Sequence, residues 1–587
     1  MNDPKSAAAA PIPSPLAQLV WWSAAGAIVA VMAFLVMPYR AVDFHDEGAY
    51  LYNAMAVLTP GMAYDTVIPQ APYGFANAIF MALGIDTYYG LRLAFCAVIV
   101  GASALVLRAL GATPGRVPEA PLLAVIPLLF TYTSLLSYQN APVVIILAGV
   151  AVSEFGFGAR GTWKSRSLLV LSGCIMAFGA FLHLATVPAI GVVLMLQYFL
   201  RRVPLDDVLV VGGAALATGL ALVAYYGSSI GFETFFQVPT GGQHGFDLIG
   251  PRILQLLLVL LRPLLLFLAL RIIAGHIIKQ PARADAVTAG LGLLFLVAVH
   301  AIPTLQLIFG SALTGVLHPT LMQWLDVLWV IALRHLHVVD VFSSFSFGLL
   351  ALSLVVSWRW VVGHSKFLVM TGALLAIFLL QASTSSLRPT NIAIMYSGTA
   401  VVLSFVALRM RTAEEPRAGR ISVARVASIW FTVVVGLSLQ ATFAPGVHGR
   451  PSLSYVPADQ PKLAGLYLSE ERRDSLATLV DLYQQERCDE KEFVAAPNAP
   501  ILYWLFGREA FAGRSWINPL FSWPIDELKV HLKTHEEWCF VFPQDFESRE
   551  SWDKIKGLRA FLEEHAARQY TVGHSDKPFD RYWMFVR

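Results

Sequence analysis

Four carboxylates fall within one short stretch: Asp43, Asp46, Glu47 and Asp65 lie in residues 43–84, which read DFHDEGAYLYNAMAVLTPGMAYDTVIPQAPYGFANAIFMALG. A carboxylate that is partly desolvated and sits beside a second one has its pKa raised, which suits it to accept a proton from an attacking nucleophile. The adjacent pair Asp46-Glu47 opens a short amphipathic helix over roughly residues 48–58. One step along a helix turns the side-chain direction by about 100°, so one member of the pair faces any given cleft. A plainer role exists beside catalysis, because anionic side chains also suit a helix N-terminus. After a Pro-Gly break come Tyr64 and Asp65, then Pro69, Pro72 and Tyr73. Asp65 is a candidate ligand for an acceptor or a metal, or else a turn residue. His45 is placed to orient a carboxylate or touch substrate, or is incidental to both, and Asp43 reads as a solvated loop residue.

These residues must be held by something, and the composition says what. Of 587 residues, 56% are hydrophobic and 14% are charged; the mean hydropathy is +0.61. An ordinary soluble domain carries about 25% charged residues. Uncharged stretches such as 18–38, 208–226 and 426–443 are near the roughly 20 residues needed to cross hydrocarbon. The chain therefore reads as a polytopic α-helical membrane protein. The stretch 18–38 is too long for the apolar core of a signal peptide and has no small-residue cleavage site before Tyr39, so it is expected to remain as a first span. The net charge of +3 points to no partner, and no basic run interleaved with aromatics supports nucleic-acid binding.

Basic connectors at 108–116, 160–166, 201–202, 279–283, 359–366 and 409–425 alternate with basic-poor ones at 138–141, 186–188, 227–250 and 381–390. With the basic set in the cytoplasm, the N-terminus is cytoplasmic and residues 39–84 face outward. About thirteen spans are expected: 17–38, 88–108, 121–138, 141–158, 167–186, 188–200, 208–227, 252–274, 285–304, 341–358, 366–382, 391–408 and 424–443. Residues 305–340, interrupted by Pro319, Asp326 and Arg334, fit an outward loop with a re-entrant or interfacial helix.

The domain division is expected at 1–443, with residues 39–84 as its functional loop, and 444–587, an outward-facing soluble α/β domain. In the tail, helix-like and strand-like stretches alternate at 460–486, 492–496, 500–509, 538–542, 547–568 and 581–586. About 140 residues suffice for a core. Cys96 and Cys174 lie in predicted spans, as packing. Cys488 and Cys539 lie in the tail and are free to pair if their distance permits.

The loop resembles that of the GT-C superfamily, in its bacterial branch related to protein mannosyltransferases and lipid A aminoarabinose transferases. The residues carrying the resemblance are Asp46-Glu47-Gly48, then Gly61, Tyr64-Asp65, Pro69, Pro72-Tyr73 and Gly84, with YGLRL at 89–93 as the start of the second span. It covers about the first 110 residues in detail; beyond them it rests on span number and an outward tail. It implies a glycosyltransferase moving a sugar from a polyprenyl-phosphate donor to an extracytoplasmic lipid or glycan acceptor, with inversion. The protein would then sit in the inner (plasma) membrane. Asp46, as the family's first acidic residue, becomes the general base, with Glu47 next; Asp65, Tyr64, His45 and Tyr73 become substrate contacts. Arg388, at the outer end of a predicted span, becomes the donor-phosphate contact, and Arg252, Arg334 and Arg92 are weaker candidates for the same place. Headgroup contact or snorkelling is the ordinary alternative for each. The segment PILYWLFGRE at 500–509 also resembles one in the branch's outward domain, with Tyr503, Trp504 and Phe506 as core packing.

One departure stands out. Relatives often carry an acidic residue in the next outward connector, where this chain reads Ser137-Tyr138-Gln139-Asn140. A second carboxylate must then come from the first loop or from Glu233. Hard cations need several oxygen ligands, so no cofactor is firmly expected and a divalent metal stays open. Two other classes remain: a transporter or flippase of lipid-linked saccharide, and a non-catalytic scaffold. Transporters favour ionisable groups at mid-membrane and internal repeats. Arg262 and His183 fall in predicted spans here, without a repeat or paired carboxylates.

Overall fold

Long apolar runs become helices because, in hydrocarbon, a helix satisfies every backbone polar group within its own segment. The computed structural model describes residues 15–40, 42, 46–64, 72, 74–131, 135–137, 140–236, 249–309, 338–384, 389–414, 419–443, 453–456, 460, 462–496, 499–511, 525–543, 553–573 and 581–587. Among the described residues, seven helices are long and apolar enough to cross a membrane: Gln18–Val36, Tyr88–Ala109, Ala141–Gly158, Trp163–Phe181, Leu184–Arg201, Leu205–Ile230 and Ser365–Ser383. Further long helices occupy Ile249–Ile277, Pro281–Phe309, Val338–Val356, Pro389–Glu414 and Gly419–Phe443. The outer faces of several are apolar, with Leu209, Leu216, Leu220 and Leu265 exposed, as lipid-facing surfaces require.

The span expected over 121–138 is different in the structure. An α-helix covers Ala120–Val125 and tightens into a 3₁₀ turn over Ile126–Phe130. Pro127 has no N–H to continue the α ladder, and eleven residues at about 1.5 Å each fall short of a bilayer. Residues 120–130 are all buried, so this short helix is a plug inside the bundle. His183 is not within a span either: it sits in the turn between Phe181 and the 3₁₀ turn Leu184–Thr186, its carbonyl accepting from the Thr186 hydroxyl at 2.8 Å.

Acidic residues in the bundle meet arginines. Glu154 pairs with Arg201 at 2.9 Å and with Lys366 at 3.9 Å, Glu119 with Arg409 at 3.8 Å, and Asp285 bridges Arg271 and Arg411. Each pair ties helices together near the ends that carry the basic connectors.

In the tail, β1 (Leu453–Tyr455) and β2 (Tyr467–Ser469) form an antiparallel ribbon. A four-stranded mixed sheet follows, built from β3 (Glu492–Ala495), β4 (Trp538–Pro543), β5 (Arg568–Val572) and β6 (Tyr582–Val586), in the order β3-β4-β6-β5. β3 and β4 run parallel; β6 is antiparallel to both its neighbours. Successive strand residues point to opposite faces, and here both faces are covered. Phe493, Cys539, Val541 and Met584 pack on the side of the helices Glu470–Gln485 and Pro500–Phe506. Val494, Phe540, Phe542, Trp583 and Phe585 pack with Leu528, Leu532, Leu558 and Leu562 from the helices Ile525–Thr534 and Asp553–His565. That is why all six residues of β4 are buried. Cys488 and Cys539 form a disulfide with Cα atoms 5.7 Å apart, tying the chain after Glu470–Gln485 to β4.

Candidate functional site

The first helix leaves its apolar run through a widened π-helical segment, Val31–Val36, and the chain turns through 37–40. The loop helix then runs Asp46–Leu58, so the acidic pair occupies its first turn, where the helix dipole favours negative charge. Glu47 is turned inward and buried. Its carboxylate accepts a hydrogen bond from the Tyr88 hydroxyl and lies 3.7 Å from an Arg92 guanidinium nitrogen. Tyr88 and Arg92 are four residues apart on the helix Tyr88–Ala109 and share one face; Arg92 lies 4.5 Å from the Tyr88 ring centroid.

Arg92 is therefore not at a membrane interface, as its place near a span start led one to expect. It is 0% exposed. Its Nη1 donates to the carbonyls of Met37 at 2.6 Å and Arg40 at 3.0 Å, holding the turn that joins first span to loop. Arg40 is buried next to it and donates to Gln440 Oε1 at 3.2 Å. Burial pulls the Arg40 guanidinium down to about 10, with Glu47 opposing, so it stays charged at neutral pH. Gln440 in turn donates to the carbonyls of Leu129 and Thr131 at 3.1 and 3.0 Å. One buried polar chain thus links the loop, the second span, the short plug helix and the last helix before the tail. Sequence reasoning missed it; the only local signal was the Tyr88/Arg92 spacing, and Arg40 and Gln440 lie 400 residues apart.

The tail closes over the loop helix. A Cβ on Gly48 would lie 2.6 Å from the Ile501 backbone nitrogen, so the helix Pro500–Phe506 approaches as closely as glycine allows. Tyr52 donates to the Ala63 carbonyl at 2.7 Å and accepts from the Ala510 N–H at 3.1 Å. Glu509 accepts from the Ala63 N–H at 3.0 Å. At the loop's base, the Tyr467 N–H reaches the Pro38 carbonyl at 2.9 Å, the Tyr88 N–H reaches the Lys462 carbonyl at 2.8 Å, and the Tyr39 and Tyr467 rings stack at 4.3 Å. Tyr503 and Trp504 are buried in this contact, and Phe506 is half-buried and stacked on Tyr483.

Tyr64 ends the described part of the loop. It packs with Phe75 and Tyr226, at 6.1 and 5.7 Å between ring centroids. Burial, with a hydrogen bond to Tyr225, pushes its phenol up to about 12, so at neutral pH Tyr64 is a hydrogen-bond donor and not a base. The returning helix Phe75–Ala82 starts at Gly74, whose φ of +77° and position 2.1 Å (as a built Cβ) from the Tyr50 carbonyl both require glycine. From that helix, Asn77 donates to the Leu136 carbonyl at 2.7 Å. In the same connector, Asn140 accepts from the Ser137 N–H at 2.9 Å and donates to the Leu135 carbonyl at 2.9 Å. Asn140 shapes the connector where the resemblance led one to look for an acid.

The remaining candidates divide simply. The backbone of Asp46 lies in the loop helix, but its side chain is outside the described set, as is that of Arg252. Asp43, His45, Asp65, Pro69, Tyr73, Arg334 and Arg388 lie outside the described residues. Glu233 is exposed on the short helix Phe232–Phe236.

No family model matches the sequence, and no curated protein matches it. Among solved structures the chain is similar to ArnT from Cupriavidus metallidurans bound to undecaprenyl phosphate, at 12% identity over 98% of each chain with a TM-score of 0.40. A likeness that distant carries neither fold nor activity across.

Proposed function

We propose that the protein is an inverting glycosyltransferase of the GT-C type, taking a sugar from a polyprenyl-phosphate donor to an extracytoplasmic lipid or glycan acceptor. In this reading the protein is a multi-pass protein of the inner membrane, and residues 444–587 form an outward domain over the loop at 39–84.

The observation that carries the reading is the unequal fate of the acidic pair. Glu47 is buried against Tyr88 and Arg92, which supports a positioning role for it. Asp46, about 100° round the helix, is the base in this reading, with Glu47 as the alternative. As the acceptor hydroxyl attacks the anomeric carbon, its proton passes to Asp46; the bond from that carbon to the phosphate oxygen breaks, and polyprenyl phosphate leaves with the electron pair. Tyr64 donates to the sugar or acceptor, with His45, Asp65 and Tyr73 as further contacts. Arg388 takes the donor phosphate, so Arg388→Ala should raise the donor KM and Lys should restore it only in part, lacking the planar fork.

The deciding measurement is sugar transfer by the purified protein at saturating donor. Asp46→Asn retains size and capping ability, so its melting curve should match wild type while the rate falls by about 10²–10⁴-fold. A folded Asp46→Asn protein with near-normal rate would sink the assignment. Absence of transfer by wild type with every polyprenyl-phosphate sugar offered would sink the enzyme class.

A further inference from the structure

The tail holds a constellation that the loop chemistry leaves unused. His531 and His535 are four residues apart at the C-terminal end of the helix Ile525–Thr534, and Glu492 opens β3 beside them. One ligand atom from each residue lies within 4.8 Å of the other two, and all three side chains are half-buried. His531 Nε2 stands 3.6 Å from Glu492 Oε1. That is too long for a hydrogen bond, and His531 Nε2 is buried with no hydrogen-bond partner. It is, however, close to the separation of two ligands on one tetrahedral zinc, about 3.4 Å for metal–ligand bonds near 2.1 Å.

The supporting contacts are those of a preset ligand group. His535 Nδ1 is 3.0 Å from the His531 carbonyl; as donor there it leaves Nε2 with its lone pair outward. Metal-bound histidines are commonly oriented by such a bond from their other nitrogen. The two imidazoles lie 3.8 Å apart between ring centroids, and Phe511 packs on His531 at 4.4 Å. The end of the helix is fixed independently: Trp538 Nε1 donates to the Leu532 carbonyl at 3.1 Å, and Arg587 reaches the His535 carbonyl at 3.4 Å. The ligands come from two elements that each have their own reason to be where they are.

We propose that His531, His535 and Glu492 bind one divalent ion of the zinc class, with water in the fourth position, and that the ion pins the end of the Ile525–Thr534 helix to the edge strand β3. Two neutral imidazoles and one carboxylate are a donor set zinc accepts, whereas calcium and magnesium favour oxygen ligands. The site is separate from the loop carboxylates and holds whether or not the protein transfers sugar.

The test uses the full-length protein in detergent, stripped of metal with a chelator and returned to Zn²⁺ alone. Competition against a chromogenic chelator should find one equivalent in wild type whose affinity drops by about tenfold or more in Glu492→Gln and in His535→Ala. Zn²⁺ should raise the melting midpoint of wild type more than that of either variant. Glu492→Gln preserves size and polarity at a half-exposed strand edge, so the test survives if the histidine variant folds poorly. Wild type that binds no zinc overturns the proposal. So does equal zinc binding by wild type and Glu492→Gln, which would place the ion elsewhere.

Discussion

The buried Glu47–Arg92 pair decides how the loop is held. Removing one partner of such a pair leaves a charge stranded away from water, which typically costs about 3–5 kcal/mol, whereas removing both together is far milder. Arg92→Met should therefore lower the melting midpoint sharply, and adding Glu47→Gln to it should recover a substantial part. Equal destabilisation in the single and double variants would show that Arg92 acts only through the Met37 and Arg40 carbonyls. Sequence made the acidic pair visible as chemistry but not its division. The 100° step says that the two side chains diverge; which one goes inward depends on Tyr88 and Arg92, whose common face points at the loop only once the second span is packed. Arg92 itself shows the limit most clearly. A cation at a span end reads as a headgroup contact, and only tertiary structure reveals that two backbone carbonyls and a carboxylate have drawn it inside.

Between elements, the loop helix and the helix Pro500–Phe506 meet at Gly48, where any side chain would strike the Ile501 backbone. Backbone cannot swing aside as a flexible side chain can, so Gly48→Ala should cost about 1–3 kcal/mol. Limited proteolysis should then cut the tail faster than in wild type, with the bundle still intact. Unchanged cleavage would mean that the helices separate without consequence. Elements were legible to different degrees. The long spans and the strands β3, β4 and β6 stood out because apolar runs or alternation mark them directly. The run at 121–138 misled because hydropathy does not register that Pro127 ends the α ladder or that a short helix can be buried on all sides by protein. The helix Ile525–Thr534 and the strand β5 went unread for the opposite reason. Their buried residues are few per turn or per strand, set among Asp, Glu, Lys and Arg, and only the finished sheet shows which face they cover.

Across the whole molecule, the tail is both bridged within itself and fastened to the loop. The Cys488–Cys539 bridge spans 51 residues, a separation for which loss of unfolded-state entropy would stabilise by roughly 4 kcal/mol. Alkylation of unreduced, denatured protein should label Cys96 and Cys174 and spare the other two, and reduction should lower the melting midpoint of the tail. Four labelled thiols would place the tail in a reducing compartment. The fastening also governs when the site can exist. The Tyr52 hydroxyl waits for the Ala510 N–H, 458 positions later; at about 5–20 residues per second that is roughly 20–90 s of synthesis. Through that interval the loop helix has its glycine face bare and the Ala63 N–H is without its Glu509 acceptor. The loop helix is therefore completed by residues as many as 458 positions later, so a chain truncated before residue 500 keeps the helices up to Gly419–Phe443 and lacks the contacts that close the candidate site.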